Sequence, residues 1–597
     1  MKKRVADIIM DTLVENGIDT CFCVVGGGAM HLNNALLVND KIEKVFNHHE
    51  QACAMAAEGY ARMSGKMAAV MVTAGPGSMN ALNGVQGAWA DSIPMIVISG
   101  FPRWFTSALS TGLDIRVAGV QEHDIVTTVS NMTKYAINLL EPKDVKMEVQ
   151  KAIDIAMDGR RGPVWINVPL DIQPLHIEES ELTPIVDFKS DRKEDLTEEI
   201  ATLNKWIEEA KCPCILTGSA IRTGNAEDEF LKFIKKTGIP VVGGFQQSDI
   251  LDANYENYYG MSGVASGRAG NFILQNADLV IVLGNSLSHN QIGYSKEEFA
   301  KKAKLVMVDA QKDEARKPGL NVDLLIYAEI RDFFLYTDRI NAWKRNENWI
   351  KYCKDVYARF PQSELFDKVR DKLKPDAPVP YKLFWEKIFE KTDENAVFAL
   401  GNSSSVCGGL EEPVHKMGQR VLVNYNCGSM GYDIPNSIGA HMAAKRPVIC
   451  ITGDGAVMMN LQELQTIRHN AFPIKVVIFS NGGYCAIRNT CNRYFNGQHI
   501  GCDEETGISF PDFALIAEGF GLKYKKCSNV GELDDAIDWL VGTNEGLILE
   551  ITEEEDETGV PYVASKMDEE GRFVMPSIEV MSPLLDDAEF DKWRYKG

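Results

Sequence analysis

Pro447 to Thr452 is a short apolar run rich in Val and Ile, the pattern of a strand buried inside a parallel sheet. Gly453 and Gly455 then let the backbone turn closely around Asp454 and Ala456, and Val457 to Ile467 reads as a helix with one apolar side. A strand feeding a glycine-flanked turn into a helix N-terminus is a ready anion site, because free N–H groups and the positive dipole end face outward. Asp454 puts a carboxylate there, which would repel a bare diphosphate. The two are compatible when a divalent cation lies between them, since Mg²⁺ takes oxygen ligands and is shared with phosphate. A second strand, Ile474 to Phe479, leads to Asn481, an amide oxygen 27 positions after Asp454. Adjacent parallel strands bring both oxygens to the same carboxyl edge, where ligands bind in open α/β sheets. Alone, Gly-Asp-Gly reads as a turn whose Asp caps a helix. Strand, helix, second strand and Asn at this spacing together favour the cation site.

At 597 residues the chain is too long for one core, and three domains is the natural expectation. The excess of 84 acidic over 62 basic residues, a net charge of −22, argues against a nucleic-acid-binding surface. Thirteen scattered cysteines include no Cys-x-x-Cys pair and read as buried thiols in a reducing compartment. Met1 to Gly17 carries Asp7, Asp11 and Glu15 inside its apolar pattern, so it reads as an amphipathic helix and not a signal peptide. No run approaches the ~18 apolar residues of a membrane span. These features point to a soluble, cytoplasmic protein.

Residues 1–185 alternate strand and helix signals, with strands expected at Thr20 to Val25, Ala68 to Thr73, Met95 to Ser99 and Pro163 to Val168. An Ala-rich helix, Gln51 to Met63, follows the polar cluster Asn47-His48-His49-Glu50. Such alternation predicts a parallel sheet covered on both faces. Gly26-Gly27-Gly28 and Gly75-Pro76-Gly77-Ser78-Met79-Asn80 follow strands; tight turns are the blander reading of each. A second α/β block spans 195–345, with strands at Pro213 to Thr217, Pro240 to Gly243, Leu279 to Leu283 and Leu305 to Val308. Between the two, Asp187 to Thr197 is charged and without period, and reads as a linker. Tyr327 to Asp376 is a charged, helical connection to a third block, 375–560, whose first strand, Val397 to Leu400, leads into Gly401-Asn402-Ser403-Ser404. Residues 561–597 read as an acidic tail that either folds over the cleft or lies solvated, the solvated reading being the default.

The Gly-Asp-Gly…Asn element resembles that of the thiamine-diphosphate-dependent enzymes. His49-Glu50-Gln51, Ala57 to Arg62, Gly75-Pro76-Gly77 and Asp91-Ser92-Ile93-Pro94 are similar to the pyrimidine-binding domain of acetolactate synthases. The resemblance implies a three-domain α/β chain of doubly wound parallel sheets: pyrimidine-binding, middle and diphosphate-binding. It implies that Asp454 and Asn481 give side-chain oxygens, and Gly483 a carbonyl, to Mg²⁺. It makes Glu50 the carboxyl that bonds the aminopyrimidine ring, a task that suits a carboxyl desolvated in an apolar pocket, and Gln121 an active-site glutamine. Met430, in Asn426-Cys427-Gly428-Ser429-Met430-Gly431, takes the position that keeps the cofactor bent; a core gap-filler is the alternative. The further cofactor contacts it implies are Gly27, Gly28, Gly75, Asn80, Gly401, Asn402, Ser403, Ser404, Gly428, Gly453, Gly455, Ala456 and Tyr484.

In that family the middle domain holds FAD. Here Gly260-Met261-Ser262-Gly263 is similar to a family element, while Gly284 to Ser288 lacks the arginine-bearing motif, and Asp309 suits either a ribose or a strand end. Flavin stays open. The activity implied is thiamine-diphosphate- and Mg²⁺-dependent decarboxylation of a 2-oxo acid, pyruvate first, with carboligation to a second carbonyl. Alternatives are transfer of a two-carbon unit to another acceptor such as a keto sugar, a plain decarboxylase or C–C hydrolase, and a silent cofactor-binding regulatory subunit. Glu50 and Asp454 fall in different domains, which in the family meet across a subunit interface, implying a homodimer or homotetramer. His48, Asp433 and the altered middle domain depart from a housekeeping acetolactate synthase and suggest a different acceptor pocket.

Overall fold

The computed structural model describes residues 2–186, 188, 195–245, 247–402, 404–554, 561–568 and 570–596. Short runs, the central ones apolar and buried on both faces and edge members such as Glu43–Phe46 and Lys523–Cys527 more exposed, assemble into three six-stranded sheets in which every neighbouring pair is parallel. The N-terminal sheet runs, in space, Glu43–Phe46, Thr20–Cys23, Ala69–Val72, Ile96–Phe101, Val164–Pro169 and Tyr135–Asn138. The C-terminal sheet has the same winding: Arg420–Leu422, Val397–Leu400, Val448–Gly453, Ile474–Ser480, Leu547–Thr552 and Lys523–Cys527. The middle sheet differs, ordered Tyr258–Met261, Val241–Gly243, Pro213–Thr217, Leu279–Leu283, Lys304–Asp309 and Leu324–Tyr327. This is the α/β, doubly wound architecture expected. The strands missed from sequence include edge members such as Arg420–Leu422 and Glu43–Phe46, too short or too polar to show a period.

In the two like-wound sheets the chain leaves the first strand toward one edge and the third toward the other. That opens a crevice between them at their carboxyl ends. In the N-terminal sheet it is flanked by Gly26 to Gly28 and Gly75 to Gly77. In the C-terminal sheet it is flanked by the loop from Gly401 and by Asp454.

The same two sheets share one apolar core. Its centre is an antiparallel helix pair, Glu50–Ser64 against Asp433–Ala444, whose small residues let the backbones touch. A β-carbon at Gly59 would lie 2.4 Å from the Asn436 carbonyl oxygen, and one at Gly439 would lie 1.8 Å from that of Ala56. Beside the pair, Arg62 bridges Glu58 (2.6 Å) and Asp91 (2.5 Å), while Asn424 and Asn426 donate to Glu58 (3.0 Å) and Asp91 (2.5 Å). Burial pushes the Glu58 carboxyl up to about 7, against the pull of Arg62. The Ala57 to Arg62 and Asp91 motifs thus tie the two domains together.

Several expectations are corrected. Val457 to Ile467 is not one helix. Asp454–Val457 and Glu463–His469 are separate, because Met459 packs on Gly431 and Asn460 Nδ2 donates to the Gly431 carbonyl (2.8 Å). Nor is the C-terminal segment solvated. Met575, Ile578 and Met581 are buried in the middle domain's core, Asn271 donates to the Ile578 carbonyl (2.8 Å), and Arg268 donates to that of Met581 (3.0 Å). Its apolar residues follow no period and so gave no signal. Most of the expected linker, 187 and 189–194, lies outside the described residues. Among the described residues no helix is long and apolar enough to cross a membrane.

Candidate functional site

The C-terminal half of the site is built on three adjacent strand ends. Val448–Gly453 delivers Asp454, nearly fully buried, to the first turn of the next helix. Its Oδ2 accepts the backbone N–H groups of Asn481 (3.1 Å) and Gly482 (2.9 Å), which follow the neighbouring strand Ile474–Ser480. Burial nevertheless raises its pKa to about 6. The Asn481 side chain donates to Glu553 (2.8 Å), just beyond Leu547–Thr552, the next strand in the sheet. Burial lifts Glu553 to about 7, with Asp454 adding to the rise and Ser404 and Asn481 opposing it.

Glu553 and Arg488 were not anticipated from sequence: the strand Leu547–Thr552 that leads to Glu553 was not assigned, and Arg488 lies in the helix Cys485–Tyr494, beyond the Asn481 element. Arg488 Nη2 donates to the Asn481 carbonyl (3.0 Å). The Tyr484 ring packs where a β-carbon on Gly455 would stand, Ala456 is buried beside it, and Gly483 abuts the Cys502 carbonyl. Gly401 is bonded through its N–H to Ile451 (2.8 Å), Gly453 caps the helix carrying Asp454, and Asn402 Nδ2 donates to the Gly428 carbonyl (2.8 Å). That bond joins the loop after Val397–Leu400 to the one bearing Gly428 and half-buried Met430. Ser403 lies outside the described residues.

The N-terminal half gathers at its own crevice. Glu50 opens its helix, is 8% exposed, and its Oε2 accepts from Asn80 Nδ2 (2.9 Å). A β-carbon at Gly77 would be 3.1 Å from Glu50 Oε1, so the glycine leaves the carboxyl its space. Gly28 N–H donates to Thr73 Oγ1 (3.1 Å), while Gly27 has open space around it. Gly75 (φ +57°) and Gln121 (φ 54°) both take left-handed backbone, and the Gln121 carbonyl fills the place of a Gly75 β-carbon. The Gln121 side chain is exposed.

Within one chain these halves do not meet. The helix pair runs antiparallel, with Gly59 facing Asn436 and Gly439 facing Ala56. Glu50 therefore sits about 18 Å, twelve residues of helical rise, from Arg62. It is the Arg62 end that bonds, through Glu58 and Asp91, to the residues leading into Gly428.

Comparison with known proteins agrees with this division. The chain matches the family model described as thiamine pyrophosphate enzyme, N-terminal TPP binding domain, over residues 3–108. It matches the central domain over 200–335 and the C-terminal TPP binding domain over 409–551. The chain belongs to the thiamine pyrophosphate enzyme family. It is 27% identical over 561 residues to the acetolactate synthase large subunit of Lactococcus lactis, covering 94% of each chain. The acetolactate synthase isozyme 2 large subunit of Escherichia coli is 26% identical, with 94% of this chain and 97% of that one covered. The chloroplastic acetolactate synthase of Arabidopsis thaliana is 27% identical, covering 94% and 83%. This is a thiamine-diphosphate-dependent, acetolactate synthase-like enzyme.

The oxygen donors at the C-terminal crevice are of the kind that fits Mg²⁺. Asp454, Asn481 and the Gly483 carbonyl are hard oxygen donors, and two buried carboxyls with raised pKa values, Asp454 and Glu553, form an environment that a divalent cation relieves. Flavin does not fit. The strand ends of the middle sheet are occupied by the chain's own amides. Asn285 Nδ2 donates to the Thr217 carbonyl (2.9 Å), and Gln291 accepts from Phe245 N–H (2.8 Å) and donates to Ser262 (2.8 Å). Gly218 presses on the Gly284 carbonyl, and the cavity beside Asp309 is about 100 Å³, below the ~300–1,000 Å³ of small-molecule sites. Asp309 caps its strand end, accepting from Gln311 N–H (2.8 Å).

Two supposed departures also leave the pocket. Asp433 is fully buried behind Gly401, with its pKa raised by burial to about 6. His48 points to solvent, with only its backbone N–H bonded, to Glu463 (2.9 Å).

Proposed function

We propose that this enzyme decarboxylates a 2-oxo acid, pyruvate first, and joins the remaining two-carbon unit to a second carbonyl compound, with Mg²⁺ and thiamine diphosphate bound between two copies of the chain. The observation that carries the reading is the pairing of Glu50, held by Asn80 at one crevice, with the buried Asp454–Asn481–Glu553 set at the other. In this proposal Asp454, Asn481 and the Gly483 carbonyl hold Mg²⁺. Gly401, Asn402, Ser404, Gly453, Gly455 and Ala456 surround the diphosphate. Gly27, Gly28, Gly75, Gly428, Met430 and Tyr484 frame the rings.

When bound, the cofactor supplies an acidic carbon that becomes the nucleophile and then stores the electrons left by carbon dioxide. The protein's own part is positioning and proton transfer. Glu50 shares a proton with the pyrimidine ring, and Asn80 orients the carboxyl by donating to Oε2. Gln121 stands at the mouth of the crevice, where an incoming carboxylate or carbonyl would meet its amide.

The separation of Glu50 from Gly428 supports a site completed by a second copy. So does the exposed apolar approach to Gln121, where Phe105, Leu113, Val117 and Val120 are 64–78% exposed. The test is to add pyruvate, thiamine diphosphate and Mg²⁺ to the purified protein, with and without added carbonyl acceptors, and identify the products. Acetolactate from pyruvate alone fits the reading. Pyruvate left untouched under every condition would overturn the donor.

A further inference from the structure

The loop between Phe495 and Gly507 carries a cluster for which the proposed reaction has no use. His499, Cys502 and Asp503 each offer one ligand atom, all within 4.8 Å of one another. His499 Nδ1 stands 3.2 Å from Asp503 Oδ2, and Cys502 Sγ is 3.7 Å from that same oxygen. A tetrahedral zinc centre with bonds of about 2.0–2.3 Å separates N from O by about 3.3 Å and S from O by about 3.6 Å. The two spacings therefore match the edges of one coordination shell.

His499 Nε2 lies 2.9 Å from Asn492 Oδ1, on the Cys485–Tyr494 helix. A donated Nε2–H leaves the Nδ1 lone pair facing the cluster, the arrangement in which metal-bound histidines are held. Thr506 N–H and O–H occupy Asp503 Oδ1 (2.9 and 2.6 Å), so Oδ2 is the oxygen left for a cation. A hydrogen-bonded turn accounts for Asp503 and Thr506. The turn also takes up the Cys502 N–H, on Thr506 Oγ1 (3.0 Å), and leaves the fully buried thiol facing Asp503 Oδ2.

We infer that His499, Cys502 and Asp503 form a site for a soft divalent cation of the zinc class, with the fourth position left to water. Binding releases the Cys502 thiol proton, since the thiolate is the ligand. The ion would also clamp the loop. The Cys502 carbonyl accepts Tyr484 N–H (2.8 Å) and stands against Gly483, both next to the Asn481 segment.

The test titrates the full-length protein with Zn²⁺ against a chromophoric chelator, and with Co²⁺, in excess Mg²⁺. One equivalent should bind, and Co²⁺ should give thiolate-to-cobalt charge-transfer absorption, which no oxygen-only site produces. Cys502→Ser should abolish that band, His499→Ala should remove stoichiometric binding, and Cys407→Ser, at an exposed thiol, should change neither. Asn492→Ala removes no ligand, so it keeps the test open should Cys502→Ser fail to fold; it should weaken Zn²⁺ about 10–100-fold. Absence of the band in the unmutated protein, or unchanged binding in both His499→Ala and Asn492→Ala, would overturn the site.

Discussion

At the carboxyl ends of the middle sheet, Thr217, Asn285, Gln291 and Ser262 bond to one another and to the backbone until little is left to offer a ligand. At the carboxyl ends of the C-terminal sheet, Asp454 and Glu553 are just as buried but keep raised pKa values, and glycines hold the surrounding loops open. Both edges start from parallel strands in a doubly wound sheet, so the topology alone does not tell them apart. The difference lies in the side chains. Amides can satisfy one another and close a site, whereas buried carboxylates stay costly until a cation arrives. The N-terminal crevice belongs with the open kind, because Glu50 has a single amide partner and a glycine beside it.

That contrast can be broken in order of expected effect. Glu50→Gln should reduce turnover, together with exchange of the cofactor's acidic proton, by about 10²–10⁴-fold. Unchanged exchange measured by NMR would remove Glu50 from its role. Asp454→Ala should weaken Mg²⁺-dependent cofactor binding by at least about 100-fold in calorimetry, whereas Gln291→Ala should leave it unchanged.

pH separates the two edges next. Asp454 and Glu553 hold protons more tightly folded than unfolded, so their contribution to stability is complete below about pH 4 and is lost as pH rises through about 6 to 7. Mg²⁺ with thiamine diphosphate competes with those protons, so thermal melts should show more stabilisation at pH 8 than at pH 6. Glu553→Gln should flatten that dependence. The smallest effect is at the closed edge. Gln291→Ala leaves the half-buried Phe245 N–H and the buried Asn285 amide short of a partner, and should cost about 1–3 kcal/mol in denaturant melts. Purified protein should carry no flavin absorption.

Much of the open edge was legible because its residues are chemically unusual where they stand. A carboxylate between glycines at a strand end, and an amide after the next strand, point to a cation before any fold is known. The helix pair was half legible: the Ala-rich run from Gln51 announced itself, but its partner, Asp433–Ala444, showed only small residues with no contact implied. Glu553 was hidden because it opens the acidic run Glu553 to Glu557, in which nothing marks one carboxyl from the next. The closed middle edge was unreadable, since Asn285 and Gln291 become meaningful only when the fold brings them to Thr217. Asp433 misled for the converse reason: a charge in a glycine-rich motif suggests a pocket wall, and packing put it behind Gly401.

In the proposed dimer, Glu50 of one copy serves the Asp454 site of another. Two separately inactive variants, Glu50→Gln and Asp454→Ala, should be co-expressed with different affinity tags and the mixed species isolated. A mixed dimer has one site with both residues intact, so it should regain about half the activity of the unmutated dimer. A mixed dimer as inactive as its parents would contradict the account, because it would mean that Glu50 and Asp454 act within a single chain.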